Sequence, residues 1–334
     1  SIHLTCQFGL RGRTILPNRG TQLITNNEVP LTRMIEKGVS CNNRFGMSIV
    51  WELDFYSRPV LDEDQKKLWE VLVCESPLSA RQSTDSLFQY ASWCPNQQVN
   101  SIWLREALEA AMQKSQQTPD KIRFFRRQMS NMITKACEDL GIRVQASRRT
   151  YTLERWLQQR IHDYYPAQPG YQASAAASSF VQYQPQEPSS LPEALQYDKW
   201  AFVSLEASAF EEMDEWEIGF SEAFPLSTLG LSPDTRIPGI IVFSSRATPV
   251  AGWMSGLELA FARVESGSTT GKLLLETGAN DSWILANIRD SQTLAEAKGF
   301  EAVKKTASGV HFLAVQSNPS SEAFAGFWLL QDLN

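Results

Sequence analysis

Two carboxylates share one face of a strand in the stretch "MSIVWELDFYSRPVLDEDQKKLWEVLVCE", positions 47–75. Alternation there sets Trp51, Leu53 and Phe55 on one side and Glu52, Asp54 and Tyr56 on the other. Paired carboxylates suit divalent cations. A two-metal nuclease needs an acid on its first strand, another on its first helix and a third after its fourth strand, so that two ions sit ~4 Å apart. Asp54 and Glu106 or Glu109 are candidates for the first two places, but Arg126 and Arg127 occupy the third. Guanidinium groups at that point repel metals and attract phosphates, so the expectation shifts from cleavage to binding. The plainer alternative for Glu52 and Asp54 is a solvated or hydrogen-bonded strand face.

The basic candidates form a longer series. Lys121, Arg123, Arg126 and Arg127 stand with Phe124 and Phe125, and Arg143, Arg148 and Arg149 are followed by Tyr151, Arg155 and Trp156. Positions 121–160 carry ten Lys or Arg against three Asp or Glu. Forked Arg donors hold phosphates, and exposed aromatic rings stack on unpaired bases, which is how single-stranded RNA is usually bound. The competing reading makes the aromatic residues core and the arginines its solvated rim.

Other chemistries lack their parts. In "SGSTTGKL" the spacing from Gly267 to Gly271 is one residue short of a phosphate loop, and Leu273 replaces the hydroxyl that would reach Mg²⁺, so a plain turn is expected. His3, His162 and His311 lie far apart, which gives neither a zinc site nor a His-based triad, and His311 reads as a structural residue. The five cysteines are scattered and odd in number, which fits reduced thiols; Cys74 and Cys137 fall at apolar positions. No cofactor, metal or catalytic residue is expected.

The elements that must position these residues follow from periodicity. Strands are expected at about 48–57, at "KKLWEVLVCE" and at "LFQYASW", then a helix over "NSIWLREALEAAMQK", a strand "DKIRFFRR", a helix from Gln128 to Leu140 stopped by Gly141, a strand "IRVQAS" and a helix "YTLERWLQQRIHDYY". That order is the one found in ribonuclease-H-like domains. Positions 166–192, with five prolines and one charge, read as a flexible linker. Beyond it come strands "KWAFVSLEA" and "GIIVFSS", a helix around "VAGWMSGLELAFARVE", a hairpin "GKLLLETGANDSWILANI", a helix "SQTLAEAKGFEAVKKTA" and strands "HFLAVQS" and "FAGFWLL". The expected class is therefore α+β in two domains, 47–165 ribonuclease-H-like and 193–334 a mixed sheet with two main helices. Positions 1–46 show no period and are expected to be a non-folded extension, either a remnant transit peptide or sequence upstream of a start at Met47.

With 43% hydrophobic and 20% charged residues, the 334-residue chain has a soluble, globular composition, and no apolar run approaches the ~20 residues of a membrane helix. The net charge of −6 conceals an asymmetry. Lys and Arg outnumber Asp and Glu six to two in 1–46 and sixteen to fifteen in 47–165, but trail nine to twenty in 166–334. An acidic surface holding Glu206, Glu211, Glu212, Asp214, Glu215, Glu217 and Glu222 suits basic partners, such as ribosomal or assembly proteins.

At "VWELDFYSRPVLDEDQKKLWEVLVCE", "GWMSGLELAFA", "LLLETGANDSWILANI", "EAKGFEAVKK", "HFLAVQS" and the terminal "GFWLL", the chain resembles the Tab-two family of cyanobacteria and chloroplasts over roughly 47–333. The resemblance implies an RNA-binding factor that promotes translation or assembly of photosystem reaction-centre subunits through the 5′ leader of the message, without a catalytic cofactor. It places the family's functional C-terminal tripeptide on Trp328, Leu329 and Leu330. It implies the cytoplasm of a cyanobacterium, or the stroma in a plant or alga. Two other classes remain open: a metal-dependent nuclease and a protein-interaction scaffold.

Overall fold

A computed structural model describes residues 48–85, 87–179 and 186–333; the extension expected over 1–46 lies outside them. The N-terminal half is built on β1 (Val50–Leu61), β2 (Lys67–Glu75), β3 (Gln89–Cys94), β4 (Lys121–Phe124) and β5 (Arg143–Ala146). These five form one sheet in the order β3-β2-β1-β4-β5. β1, β2 and β3 run antiparallel, whereas β4 and β5 are parallel to β1. The alternation in β1 sends Trp51, Leu53 and Phe55 into a core with Val71, Val73 and Ile122, covered by α1 (Ser101–Ser115) and α2 (Ser130–Asp139) through Leu104, Leu108 and Ile133. Asn100 starts α1 by accepting a hydrogen bond from the Trp103 amide at 2.9 Å, and Gly141 follows α2 at φ 70°, a conformation in which a side chain is strained.

The opposite face of that sheet carries the carboxylates. It is roofed by α3 (Tyr151–Gln159), a π turn at Arg160–Tyr164 and the next residue, Tyr165, which pack Leu153, Leu157, Ile161 and Tyr165 against Val60, Leu72, Cys74 and Phe125. The flexible linker expected from 166 onward is anchored in its first part instead. Leu61 donates to the Gly170 carbonyl at 2.9 Å, Gln172 donates to the Pro59 carbonyl at 2.8 Å, and Tyr171 bridges Val60. Composition misread this segment because backbone pairing to the end of β1 leaves no trace in side-chain type.

The C-terminal half holds β6 (Ser189–Ser190), β7 (Lys199–Glu206), β8 (Ile218–Glu222), β9 (Arg236–Phe243), α4 (Ala247–Ser255), β10 (Leu259–Ser266), β11 (Gly271–Thr277), β12 (Asp281–Ile288), α5 (Ser291–Thr306), β13 (Val310–Gln316) and β14 (Phe324–Gln331). It has two sheets where one was expected: β10-β11-β12-β6 and β7-β9-β13-β14-β8. Between them lies a core of Leu259, Ala262, Leu273, Leu275 and Leu285 against Ile240, Val242, Leu313, Val315, Trp328 and Leu330, with Met254 of α4 and Phe300 of α5. A second cluster, including Phe210, Ile241, Phe312, Phe327 and Leu329, fills the other side of the larger sheet. The molecule is thus α+β with mixed sheets. The helix expected across "VAGWMSGLELAFARVE" stops at Ser255; Glu258 turns the chain at φ 53°, and Leu259 begins a strand on β11. The strand β8 was hidden inside the acidic stretch, where charge masked its alternation.

Candidate nucleic-acid interface

The carboxylate face of the first sheet is an interior one. Glu52 accepts from the Leu153 amide at 2.7 Å; burial raises its pKa, and that amide pulls it partly back. Asp54 accepts from Arg126 Nε at 2.7 Å and Nη2 at 3.2 Å, and Arg58 Nη1 lies 3.0 Å from its other oxygen. Burial alone would raise its pKa, but the guanidinium groups of Arg126 and Arg58 outweigh that and hold the carboxyl below the usual range. Glu70, opposite Tyr56 on β2, gathers Arg58, Arg160 and the Tyr165 hydroxyl. Arg126 thus fills the space beside Asp54 that a metal would take. The helix α1 packs on the other face of the sheet, so Glu106 and Glu109, both pairing with Arg105, do not join Asp54. Among the described residues no group of three or more His, Cys, Asp or Glu side chains is arranged to hold a metal ion.

The expected basic surface divides sharply. Arg123, Arg126, Arg148 and Arg149 are buried rather than solvent-facing, and Phe124 and Phe125 are core. Three of these arginines cross to the C-terminal half. Arg123 clamps Glu222 through Nη1 (2.6 Å) and Nη2 (2.9 Å) and Glu258 through Nε (2.5 Å), with Lys121 also on Glu258. Arg149 donates to Glu222 at 2.7 Å and to the Leu259 and Leu329 carbonyls at 3.2 and 3.0 Å. Arg148 donates to Glu276 at 2.9 Å and to the Thr277 and Asp281 carbonyls at 2.9 and 2.6 Å. Tyr151 adds a hydroxyl bond to the Ala260 carbonyl. Burial would raise the pKa of Glu222, but Arg123 and Arg149 overcome it and hold the group far below the carboxylate range.

Desolvated guanidinium groups need carboxylates, and the acidic half supplies Glu222, Glu258 and Glu276, so part of the charge asymmetry of the sequence is met within the molecule. Even the exposed acids contribute: Arg81 lies beside Asp214 and Glu215. Sequence reading missed Glu222, Glu258 and Glu276 as partners, although the opposite charge bias of the halves was the available signal. Of the seven basic candidates, Arg127 and Arg143 are exposed and Lys121 is half-buried.

Trp328, Leu329 and Leu330 lie in β14 between β13 and β8 and are buried on both faces. Trp328 and Leu330 enter the core between the two sheets, and Leu329 enters the cluster behind. His311 is likewise structural. Its Nε2 accepts from the Ala262 amide at 2.7 Å, which assigns the proton to Nδ1, donating to the Gly309 carbonyl at 2.9 Å. Cys74 and Cys137 are buried.

The architecture is that of a two-part α+β protein whose halves are fastened by buried ion pairs. Family models for the two parts of one RNA-binding protein match it in tandem: "RNA-binding protein Tab2/Atab2 N terminal" over 50–160 and "RNA-binding protein Tab2/Atab2, C-terminal domain" over 178–331. The chain belongs to the Tab2/Atab2 family of RNA-binding proteins. Similar relatives are "Protein TAB2 homolog, chloroplastic" of Zea mays and of Arabidopsis thaliana, each 40% identical over 290 residues, covering 85% of this chain and 71% and 74% of the relatives. Among solved structures, a chain of a simian T-cell lymphotropic virus intasome in complex with PP2A regulatory subunit B56 gamma aligns over 51% of this chain and 71% of its own. Its 16% identity and TM-score of 0.26 are too low to carry a fold assignment.

Proposed function

We propose that this chain binds single-stranded RNA in the leader of a message and promotes synthesis or assembly of photosystem reaction-centre subunits, without catalysing a reaction. The observation that carries this reading is the match of both halves to models described as RNA-binding. The chloroplastic designation of the relatives supports a place in the chloroplast, which this proposal takes to be the stroma, with the cytoplasm as its counterpart in a cyanobacterium. The N-terminal half is read as ribonuclease-H-like on the order β3-β2-β1-β4-β5, with three antiparallel strands followed by two parallel ones. Within that reading, the pairing of Asp54 with Arg126 and Arg58 favours binding over metal-dependent cleavage. A ribosomal or assembly partner remains part of the proposal, although Glu222 is already engaged within the chain.

Sequencing the RNAs that crosslink to the protein in its own cells tests the reading directly. Enrichment of leaders of photosystem messages is the expected result, and RNA enrichment no higher than background overturns it. Incubation with Mn²⁺ should leave labelled RNA intact; cleavage that Asp54→Asn abolishes would establish the nuclease instead.

A further inference from the structure

We infer that the π turn at Arg160–Tyr164 presents a base-stacking ledge for single-stranded RNA, an inference that rests on the RNA-binding reading and locates its contact surface. Tyr164 is 37% exposed, the one exposed Phe, Tyr or Trp side chain among the described residues. It does not stand alone. The Trp93 ring lies nearly parallel to it, 19° between planes with centroids 6.5 Å apart, and the Arg160 guanidinium sits 3.9 Å from the Tyr164 ring centre. Arg160 also lies 5.5 Å from the ring centre of the half-buried Trp156. Aromatic faces backed by a guanidinium are what a base needs for stacking, and they tolerate any sequence because every base has a π face.

Three further features favour a ligand here. The extra residue of a π turn breaks the regular helical ladder and recurs at functional sites. The π turn roofs the carboxylate face of the sheet, where Phe125, just past β4, shares a cluster with Ile161 and Tyr165. Arg127, two residues beyond Phe125, is exposed and offers a cation for phosphate. Beneath, Glu70 binds Arg160 and the Tyr165 hydroxyl, and Arg58 links Glu70 to Asp54. Glu70 thereby becomes the mount of the ledge, since it orients Arg160 and holds Tyr165 beside Tyr164, with Asp54 tied to it through Arg58.

The test is the affinity of the full chain for a fluorescent, unstructured RNA of about 12 nucleotides, measured by anisotropy at several salt concentrations. Tyr164→Ala and Trp93→Ala should each weaken binding about 5-fold or more without altering the salt slope, because stacking releases no counterions. Tyr164→Phe should bind as wild type, and Arg127→Ala should flatten the slope by about 0.7. Wild-type binding with Tyr164→Ala within about 2-fold of it overturns the ledge but leaves the RNA-binding reading in place, whereas no binding by wild type overturns both. To guard against misfolded variants, RNA carrying 4-thiouridine is photocrosslinked to the unmodified protein. Adducts at Tyr164 or Trp93 support the ledge, and adducts confined to other surfaces overturn it.

Discussion

At the scale of single residues, burial decides what a charge does. Arg126 stands where a nuclease would keep an acid, and it neutralises Asp54 instead of inviting a phosphate. Its removal leaves a buried carboxylate with Arg58 as the remaining close cation, so Arg126→Ala should cost roughly 3–5 kcal/mol in urea unfolding. Asp54→Asn in the Arg126→Ala background should recover part of that loss. His311 makes a pH-dependent prediction. Burial, reinforced by the positive charge of Lys304, lowers its pKa to about 3, whereas the unfolded chain titrates near 6.5. Between those values the unfolded state binds the extra proton, so stability is fully present above about pH 6.5 and falls as the pH drops toward 3. At pH 5 the loss from this residue should be about 2 kcal/mol, and His311→Gln should flatten that part of the stability curve.

At the scale of elements, β14 shows why a terminal tripeptide can matter without touching a ligand. Its two faces feed different clusters, and its neighbours β13 and β8 hold its backbone on both sides. Trp328 also lies over Gly326, where an added Cβ would meet its ring at 2.3 Å. Trp328→Ala should therefore cost about 3–5 kcal/mol and lower the cooperativity of unfolding monitored by near-ultraviolet circular dichroism. A melt like that of wild type would contradict this structural role. The same strand reaches across the molecule, because the Leu329 carbonyl accepts from Arg149. Weakening β14 should thus be felt in the other half too.

At the scale of the molecule, the interface between the halves is ionic where a core would be apolar. Arg123 alone engages Glu222 and Glu258, both through short bonds. Arg123→Ala leaves Glu222 to Arg149 and Glu258 to Lys121, and a single calorimetric transition should split into two as the halves lose coupling; one unsplit transition would show that the remaining contacts suffice. Because these pairs are buried, about 0.5 M salt should leave the wild-type coupling intact, in contrast to surface pairs, which salt screens over about one Debye length.

Local pattern settled the alternation of β1, the helices α1, α2, α3 and α5, the αL stop at Gly141 and the terminal strand. Each depends on side chains repeating over a few residues, and local pattern carries that information. The composition also held the opposed charges of the two halves. What sequence could not decide was where those charges meet. Arg123, Arg148 and Arg149 have the residue types of an RNA-binding surface, and a guanidinium accepts phosphate and carboxylate through the same forked geometry. Tertiary structure resolved that ambiguity by folding Glu222, Glu258 and Glu276 onto them from 73 to 135 residues away, a separation at which no local pattern registers. The ledge at Tyr164 escaped for the same reason. Its ring, Trp93 and Arg160 come from two distant segments, and whether an aromatic residue is core or surface depends on what packs over it.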